Sequence, residues 1–115
     1  MANMEDALTT YKHIDLVVGT SAQHSLGAYG ACESAGRNEM FILSMDGEDE
    51  EMEMIDRKDI FLLTVTQDPA GMSRTIAGNI ADQLANGTKF AAFQSAPSGV
   101  YAQEGTFTLD QVKNM

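Results

Sequence analysis

The chain contains no tryptophan, one cysteine and two prolines, and it is short of positive charge: 7 Lys and Arg stand against 17 Asp and Glu among 115 residues. A single cysteine, Cys32, excludes an internal disulfide bond. Within its Ala- and Gly-rich stretch this thiol is expected to be buried and unreactive. The net charge of −10 disfavours nucleic acid as a partner, because phosphate binding needs clustered Lys and Arg.

Long hydrophobic runs are also missing. No apolar stretch approaches the roughly 18 residues that a membrane-spanning helix needs, so the sequence predicts no membrane span. The first residues lack the basic and apolar regions of an export signal. The length suits one small domain and no linker divides it, so residues 1–115 are expected to form a single α/β unit.

Strand and helix patterns alternate along the chain. Apolar runs over 14–18, 40–45 and 60–65 predict strands, and the first has the pattern of a strand covered on both faces. Helices are predicted over 5–11, 22–35, 48–58 and 70–85. The remainder predicts a short strand over 90–93, a turn over 96–99, a strand at Val100 and Tyr101, and a last short helix capped by Thr108. The alternation predicts an α/β fold with an open parallel sheet flanked by helices.

A polar corner follows each of the three main strands: Thr20-Ser21-Ala22, Asp46-Gly47 and Gln67-Asp68-Pro69. The carboxyl ends of parallel strands meet at one edge of the sheet, where ligands usually bind. The carboxylate of Asp46 can accept hydrogen bonds from two neighbouring hydroxyls of a polyol, and Gln67 offers both a donor and acceptors. Ser21 could present a hydroxyl to the same edge, which makes these three residues the candidate ligand contacts.

Each candidate also has a simpler explanation. Asp46 would cap the helix that follows it, Ser21 would cap the helix that begins near Ala22, and Gln67 would be an ordinary exposed loop residue. Asp68 with Pro69 predicts the start of a further helix.

No set of residues predicts catalysis, a metal site or a cofactor. His13 and His24 lack the spacing and the Cys or carboxylate neighbours of a metal site. Ser21 is not set in the G-x-S-x-G elbow of a hydrolase nucleophile. The acidic run over 46–53 lacks the ligand order of a calcium loop and predicts a solvated helix face. The chain is therefore expected not to be an enzyme.

Several segments occur in a characteristic order: Ile14-Asp15-Leu16-Val17-Val18, Ser25-Leu26-Gly27-Ala28, Glu33-Ser34-Ala35-Gly36-Arg37, Met45-Asp46-Gly47, Thr64-Val65-Thr66-Gln67-Asp68-Pro69 and Phe107-Thr108-Leu109-Asp110-Gln111-Val112. Together they resemble the C-terminal portion of the type I periplasmic sugar-binding proteins of ABC transporters, especially the ribose-binding-like members. The resemblance implies a binding protein of the periplasm or cell exterior that delivers a sugar to a transporter permease.

The resemblance also implies roles for the corner residues. Asp46 and Gln67 match positions that hydrogen-bond sugar hydroxyls. Ser21-Ala22 stands where many members carry an Asn-Asp pair, which favours another possibility. The chain would then be a small non-enzymatic interaction protein that keeps the scaffold but has lost sugar binding.

Full-length members have two lobes that close over the ligand. By the resemblance, residues up to about Gln67 belong to one lobe, the helix over 70–85 belongs to the other, and the end of the chain crosses back. Such a piece would expose strand edges and apolar helix faces. We therefore expect either a homo-oligomer, or a helix 70–85 that folds back on its own sheet.

Overall fold

The structure is a computed structural model that describes residues 2–96, 98–108, 110–111 and 114. Its elements are α1 (Ala2–Thr10), β1 (Leu16–Val18), α2 (Ala22–Ala35), β2 (Phe41–Asp46), α3 (Asp49–Asp56), β3 (Phe61–Gln67), α4 (Pro69–Asn86), β4 (Ser98–Ala102) and β5 (Gly105–Thr108). The chain divides into two compact units, Met1–Thr66 with Gly99–Met115, and Gln67–Ser98.

The five strands form one sheet in the order β1-β2-β3-β4-β5. The first three strands are parallel, as predicted, and helices α2 and α3 connect them. The sheet is not parallel throughout, because the last two strands, β4 and β5, pair antiparallel. Only Gln103 and Glu104 join them, and so short a turn permits an antiparallel return but not a parallel crossover. The fold is α/β with a mixed, mostly parallel sheet.

Two local predictions near the end of the chain are wrong. Residues 90–93 form no strand, and the rings of Phe90 and Phe93 are exposed. Two aromatic residues separated by two alanines lack the alternation of a half-buried strand. The turn predicted over 96–99 is wrong because Ser98 and Gly99 already belong to β4, while Pro97 lies outside the described residues. Val100 and Tyr101 are in a strand as predicted.

The final predicted helix is seen only in part. Thr108 ends β5, and its Oγ1 accepts a hydrogen bond from the backbone N–H of Gln111 at 3.3 Å. That contact is the one expected of a helix cap. Leu109 and Val112 of the predicted helix lie outside the described residues.

The core of the first unit lies between the parallel strands and helices α1, α2 and α3. Phe61 and Ile42 are fully buried there, and burying each such side chain contributes roughly 1.5–3 kcal/mol. The ring of Tyr29 lies 6.1 Å from that of Phe61, between centroids. Cys32 is buried as predicted, and burial raises the pKa of its thiol.

The opposite face of the parallel strands is open. Its exposed side chains are Leu16, Val18, Phe41 and Met45, with exposed fractions of 50%, 64%, 50% and 42%. The prediction that β1 is covered on both faces is therefore wrong, since its apolar run is packed on one face only. We call this surface the open sheet face.

Helix α4 has the apolar stripe that the sequence predicts, at Met72, Ile76, Ile80 and Leu84. None of the residues of α4 is buried, and Leu84 is 82% exposed. The expectation of an exposed apolar helix face is thus confirmed for α4. None of the described helices combines the length and hydrophobicity needed to cross a bilayer.

Candidate functional site

Strands β2 and β3 end at the same edge of the sheet. The two strands are adjacent and parallel, with Asp46 in register opposite Thr66. Asp46 is the last residue of β2, and Gln67, the last of β3, follows Thr66. The prediction that β2 and β3 are adjacent parallel strands is confirmed.

Asp46 adopts an unusual backbone conformation. Its φ angle is 110°, a region that residues with a side chain seldom occupy, and Gly47 follows with φ 77°. A Cβ atom on Gly47 would lie 2.8 Å from Cγ2 of Thr66, so only glycine fits there. A conformation of this kind costs on the order of 1–3 kcal/mol and persists where surrounding contacts fix it.

The side chain of Asp46 reaches the start of α2. Its Oδ2 accepts a hydrogen bond of 3.0 Å from the backbone N–H of Ala22, the first residue of that helix. A carboxylate is stabilised at this position by the positive end of the helix dipole. The simpler explanation, that Asp46 caps the helix after it, is wrong because Glu48 is the N-cap of α3.

Ser21 is the N-cap of α2, as its simpler explanation predicts. Its Oγ accepts from the backbone N–H of His24 at 3.5 Å, and Gly36 with φ 65° ends the helix. The Ser21-Ala22 corner and Asp46 are thus brought together by the hydrogen bond at Ala22.

Gln67 is exposed and is the first residue of the second unit. The next residue, Asp68, caps α4 through a 2.8 Å bond from the N–H of Gly71, with Pro69 in the first turn, as the sequence predicts.

A buried polar cluster beneath the Asp46-Gly47 corner was not predicted. Glu51 is fully buried, which makes the prediction of a solvated helix face wrong for this member of the acidic run. Its partners are four donors. Its Oε2 accepts from the N–H groups of Gly47 and Glu48 at 2.8 and 2.9 Å and from Thr64 Oγ1 at 3.1 Å, and its Oε1 accepts from Ser44 Oγ.

A signal for this cluster was present in the sequence. Ser44 and Thr64 are polar residues inside two apolar strands, and they lie directly opposite each other in the register. Hydroxyls at buried strand positions need a hydrogen-bond partner, and the acidic run after β2 contains one.

A cavity of about 560 Å³ lies elsewhere in the first unit, between the beginning of α1, the end of β1 and the first turns of α2. Its polar lining comes from Asn3, Thr20, Gln23 and His24, not from the β2 corner. In the part of the chain that the structure describes, no three His, Cys, Asp or Glu side chains gather as a metal would require.

No family model matches the sequence, and no curated protein does. Solved structures do match the fold. An ABC sugar transporter subunit from Rhodobacter sphaeroides is 26% identical with a TM-score of 0.80, over 90% of this chain and 38% of its own. An ABC transporter solute-binding protein from Agrobacterium vitis, solved with bound allitol, is 23% identical with a TM-score of 0.81, over 98% of this chain and 39% of its own.

A periplasmic ribose ABC transporter protein from Conexibacter woesei is 18% identical with a TM-score of 0.81, over 99% of this chain and 38% of its own. The chain therefore spans less than two fifths of the length of these three solved proteins. Their fold confirms the resemblance found in the sequence: the chain has the α/β fold of a partial type I periplasmic sugar-binding protein. The matched proteins are solute-binding proteins rather than enzymes.

Proposed function

We propose that this chain is the C-terminal part of a periplasmic or extracellular sugar-binding protein, and that Asp46, Gln67 and Ser21 contact the sugar. In the complete protein the sugar would be enclosed between two lobes and delivered to an ABC transporter permease. The fold shared with sugar-binding structures supports the class of function. The arrangement of the corner after β2 supports the choice of sugar-contacting residues.

The observation that carries the proposal is the conformation of Asp46. Asp46 has an energetically unfavourable backbone conformation, and conformations of this kind cluster at functional sites. It also stands at the carboxyl end of a parallel strand, which is where ligands usually bind in α/β sheets. Sugar hydroxyls are hydrogen-bond donors of the kind that a carboxylate such as that of Asp46 accepts.

Binding by this chain alone is expected to be weak. Small-molecule sites usually bury most of the ligand, and half of the enclosing surface in a two-lobed protein comes from the other lobe. A dissociation constant of about 1 mM or weaker, equivalent to about −4 kcal/mol, is the expected range.

Amide NMR titration with D-ribose, D-allose and D-galactose tests the proposal, with calorimetry to detect any tighter binding. Saturable shifts at Asp46, Gly47 and Ala22 with a millimolar midpoint are the expected result. Asp46→Asn should weaken them, whereas Asp15→Asn, at a carboxylate whose side chain is 91% exposed, should not. Shifts absent from the corner up to about 100 mM sugar would refute the sugar contacts. If this chain alone bound a sugar with submicromolar affinity, the claim that tight binding needs a second lobe would be refuted.

One observation favours a second candidate, a small interaction protein that has lost sugar binding. Ala22 has no polar side chain, and its N–H already binds the carboxylate of Asp46. An unresponsive corner in the same titration, together with sugar-independent capture of a partner protein, would support this candidate.

Self-association is part of the proposal. The open sheet face and the α4 stripe are apolar surfaces of the kind that monomeric proteins seldom expose together. A second copy of the chain would cover them. Size-exclusion chromatography with light scattering should give a mass above that of a monomer, and a monomer at all concentrations would contradict pairing.

A further inference from the structure

Glu51 is a buried carboxylate, and its hydrogen-bond donors among the residues that the structure describes are all neutral. It is 0% exposed, and its four donors are two backbone N–H groups and the hydroxyls of Ser44 and Thr64. Taking a carboxylate out of water costs several kcal/mol unless its lone pairs are well satisfied. The four hydrogen bonds hold the carboxylate in one position, and through them the carboxylate also holds the backbone and hydroxyl groups that donate to it.

Helix capping explains part of this arrangement. Glu48 and Glu51 form a capping box at the start of α3, in which Glu51 accepts from the N–H of Glu48. A capping box needs no contact with the sheet. Glu51, in contrast, binds Ser44 in β2 and Thr64 in β3, so its carboxylate ties the helix to two strands.

The same carboxylate fixes the backbone next to Asp46. It accepts from the N–H groups of Gly47 and Glu48, the two residues that follow Asp46. Asp46 and Gly47 both have positive φ angles, and such a pair is stable only when neighbouring contacts hold it. Thr64 Oγ1 lies 3.2 Å from the Gly47 nitrogen as well, so β3 holds the corner together with Glu51.

A chain of hydroxyls extends the cluster to α2. Ser25 Oγ lies 2.6 Å from Ser44 Oγ and 3.2 Å from the backbone carbonyl oxygen of Ser21, and its single proton is donated to one of these two oxygens at a time. Ser25 is also fully buried. The network therefore begins at the Asp46-Gly47 corner and ends at the Ser21-Ala22 corner. The hydrogen bond from the N–H of Ala22 to Asp46 Oδ2 connects the same two corners directly.

We propose that Glu51 is a positioning residue for the ligand corner: with Ser44, Thr64 and Ser25, it holds Asp46 in its strained conformation and in contact with the start of α2. The role of this network in sugar binding rests on the proposed function. Its role in placing Asp46 is independent of any ligand and can be measured without one.

The backbone N–H of Ala22 is the reporter. This N–H binds Asp46 and belongs to α2, whereas Glu51 belongs to α3. If the substitution only weakened the cap of α3, the signal of Ala22 would not change. Glu51→Gln removes the charge and one acceptor at constant size. Glu50→Gln is the matched control, because it removes the same charge from the neighbouring, exposed position of α3.

Without sugar, Glu51→Gln should shift the amide signals of Gly47 and Ala22 and speed hydrogen exchange at Ala22 about tenfold, as expected when one hydrogen bond of moderate strength is weakened. Glu50→Gln should leave both signals as in the parent chain. Unchanged Ala22 exchange in a folded Glu51→Gln chain would overturn the proposal.

A second variant serves if Glu51→Gln fails to fold. Ser25→Ala keeps all four donors of Glu51 and removes the hydroxyl through which Ser44 reaches α2, together with its contact to the Ser21 carbonyl. It should shift the amide signal of Ala22 and leave that of Gly47 in place, and an unchanged Ala22 signal would overturn the proposal.

In a sugar titration, Glu51→Gln should weaken the shifts at Asp46 at least threefold. If the parent chain shows no such shifts, the proposed function fails, while the ligand-free measurements still decide the role of Glu51.

Discussion

Asp46, at the end of β2, accepts a hydrogen bond of 3.0 Å from the backbone N–H of Ala22, the first residue of α2. This contact joins two corners of the parallel sheet that the sequence separates by a whole helix and strand. It also holds a negative charge at the positive end of the α2 dipole. The orientation of the carboxylate proposed to meet the sugar is therefore fixed by a contact within the protein itself.

Asp46→Asn should destabilise the first unit modestly. Asparagine keeps an acceptor oxygen but loses the charge that interacts with the α2 N-terminus, so the free energy of unfolding should fall by about 1 kcal/mol. Urea denaturation followed by circular dichroism measures the change. Asp15→Asn should have no comparable effect, and equal stability of the two variants would argue against the Asp46–Ala22 contact.

Gly47→Ala should be markedly more destabilising. The new methyl group would lie 2.8 Å from the Thr66 side chain, at a residue whose φ of 77° disfavours any Cβ atom. A loss of roughly 2 kcal/mol or more is expected. Gly78→Ala is the matched control, since a Cβ at this position of α4 would meet no atom within 4 Å and should be neutral or slightly stabilising. Denaturation midpoints compare the two, and a tolerated Gly47→Ala would contradict the tight corner.

Val18→Glu should weaken self-association. Val18 is 64% exposed on the open sheet face, so a charge there costs the isolated chain little but is unfavourable in an apolar interface. Light scattering across a concentration series should show dissociation at concentrations about tenfold higher than for the parent chain. Gln23→Glu adds the same charge at an exposed position of α2 and should leave the mass unchanged. Equal masses for Val18→Glu and the parent chain would exclude this face from the interface.

Stability should fall at high pH because of Tyr29. Burial raises the pKa of its phenol above the ordinary value of 10.0, and the hydrogen bond of 2.6 Å to Asp59 adds to the shift. The folded chain then retains the proton to higher pH than the unfolded chain. The resulting stability is present below pH 10 and is lost as the pH rises through the folded-state pKa.

Denaturation midpoints measured from about pH 9 to about pH 11 test this dependence. Tyr29→Phe should remove much of the decline, although the variant begins from a lower stability because Asp59 loses its partner. Tyr11→Phe, at an exposed tyrosine, should retain the decline. The same decline in Tyr29→Phe would show that another group is responsible.

Local patterns predicted the parallel part of the fold well. The bounds of α2 match the prediction, because a serine cap and a terminal glycine mark its two ends. The strands that lead to Asp46 and Gln67 are marked by apolar runs that end at polar residues. Signals of this kind act over a few neighbouring residues and are visible in the sequence.

Features that depend on distant partners were missed. The acidic run after β2 has the composition of a solvated surface, and the burial of Glu51 is decided by hydroxyls on two strands. The open sheet face was missed because an apolar run does not show whether helices cover one face of the sheet or both. The antiparallel β4–β5 pair depends on strand pairing that the irregular pattern after Gly87 does not specify.

Mapping sugar-induced amide shifts onto the structure decides whether this edge of the sheet is a sugar site. With D-ribose or D-allose in millimolar excess, we expect saturable shifts concentrated at the Asp46-Gly47 corner, at Ser21-Ala22 and at Gln67, all weakened in Asp46→Asn. Shifts confined to other surfaces, or a spectrum that does not respond to any of the sugars, would refute a sugar site at these corners.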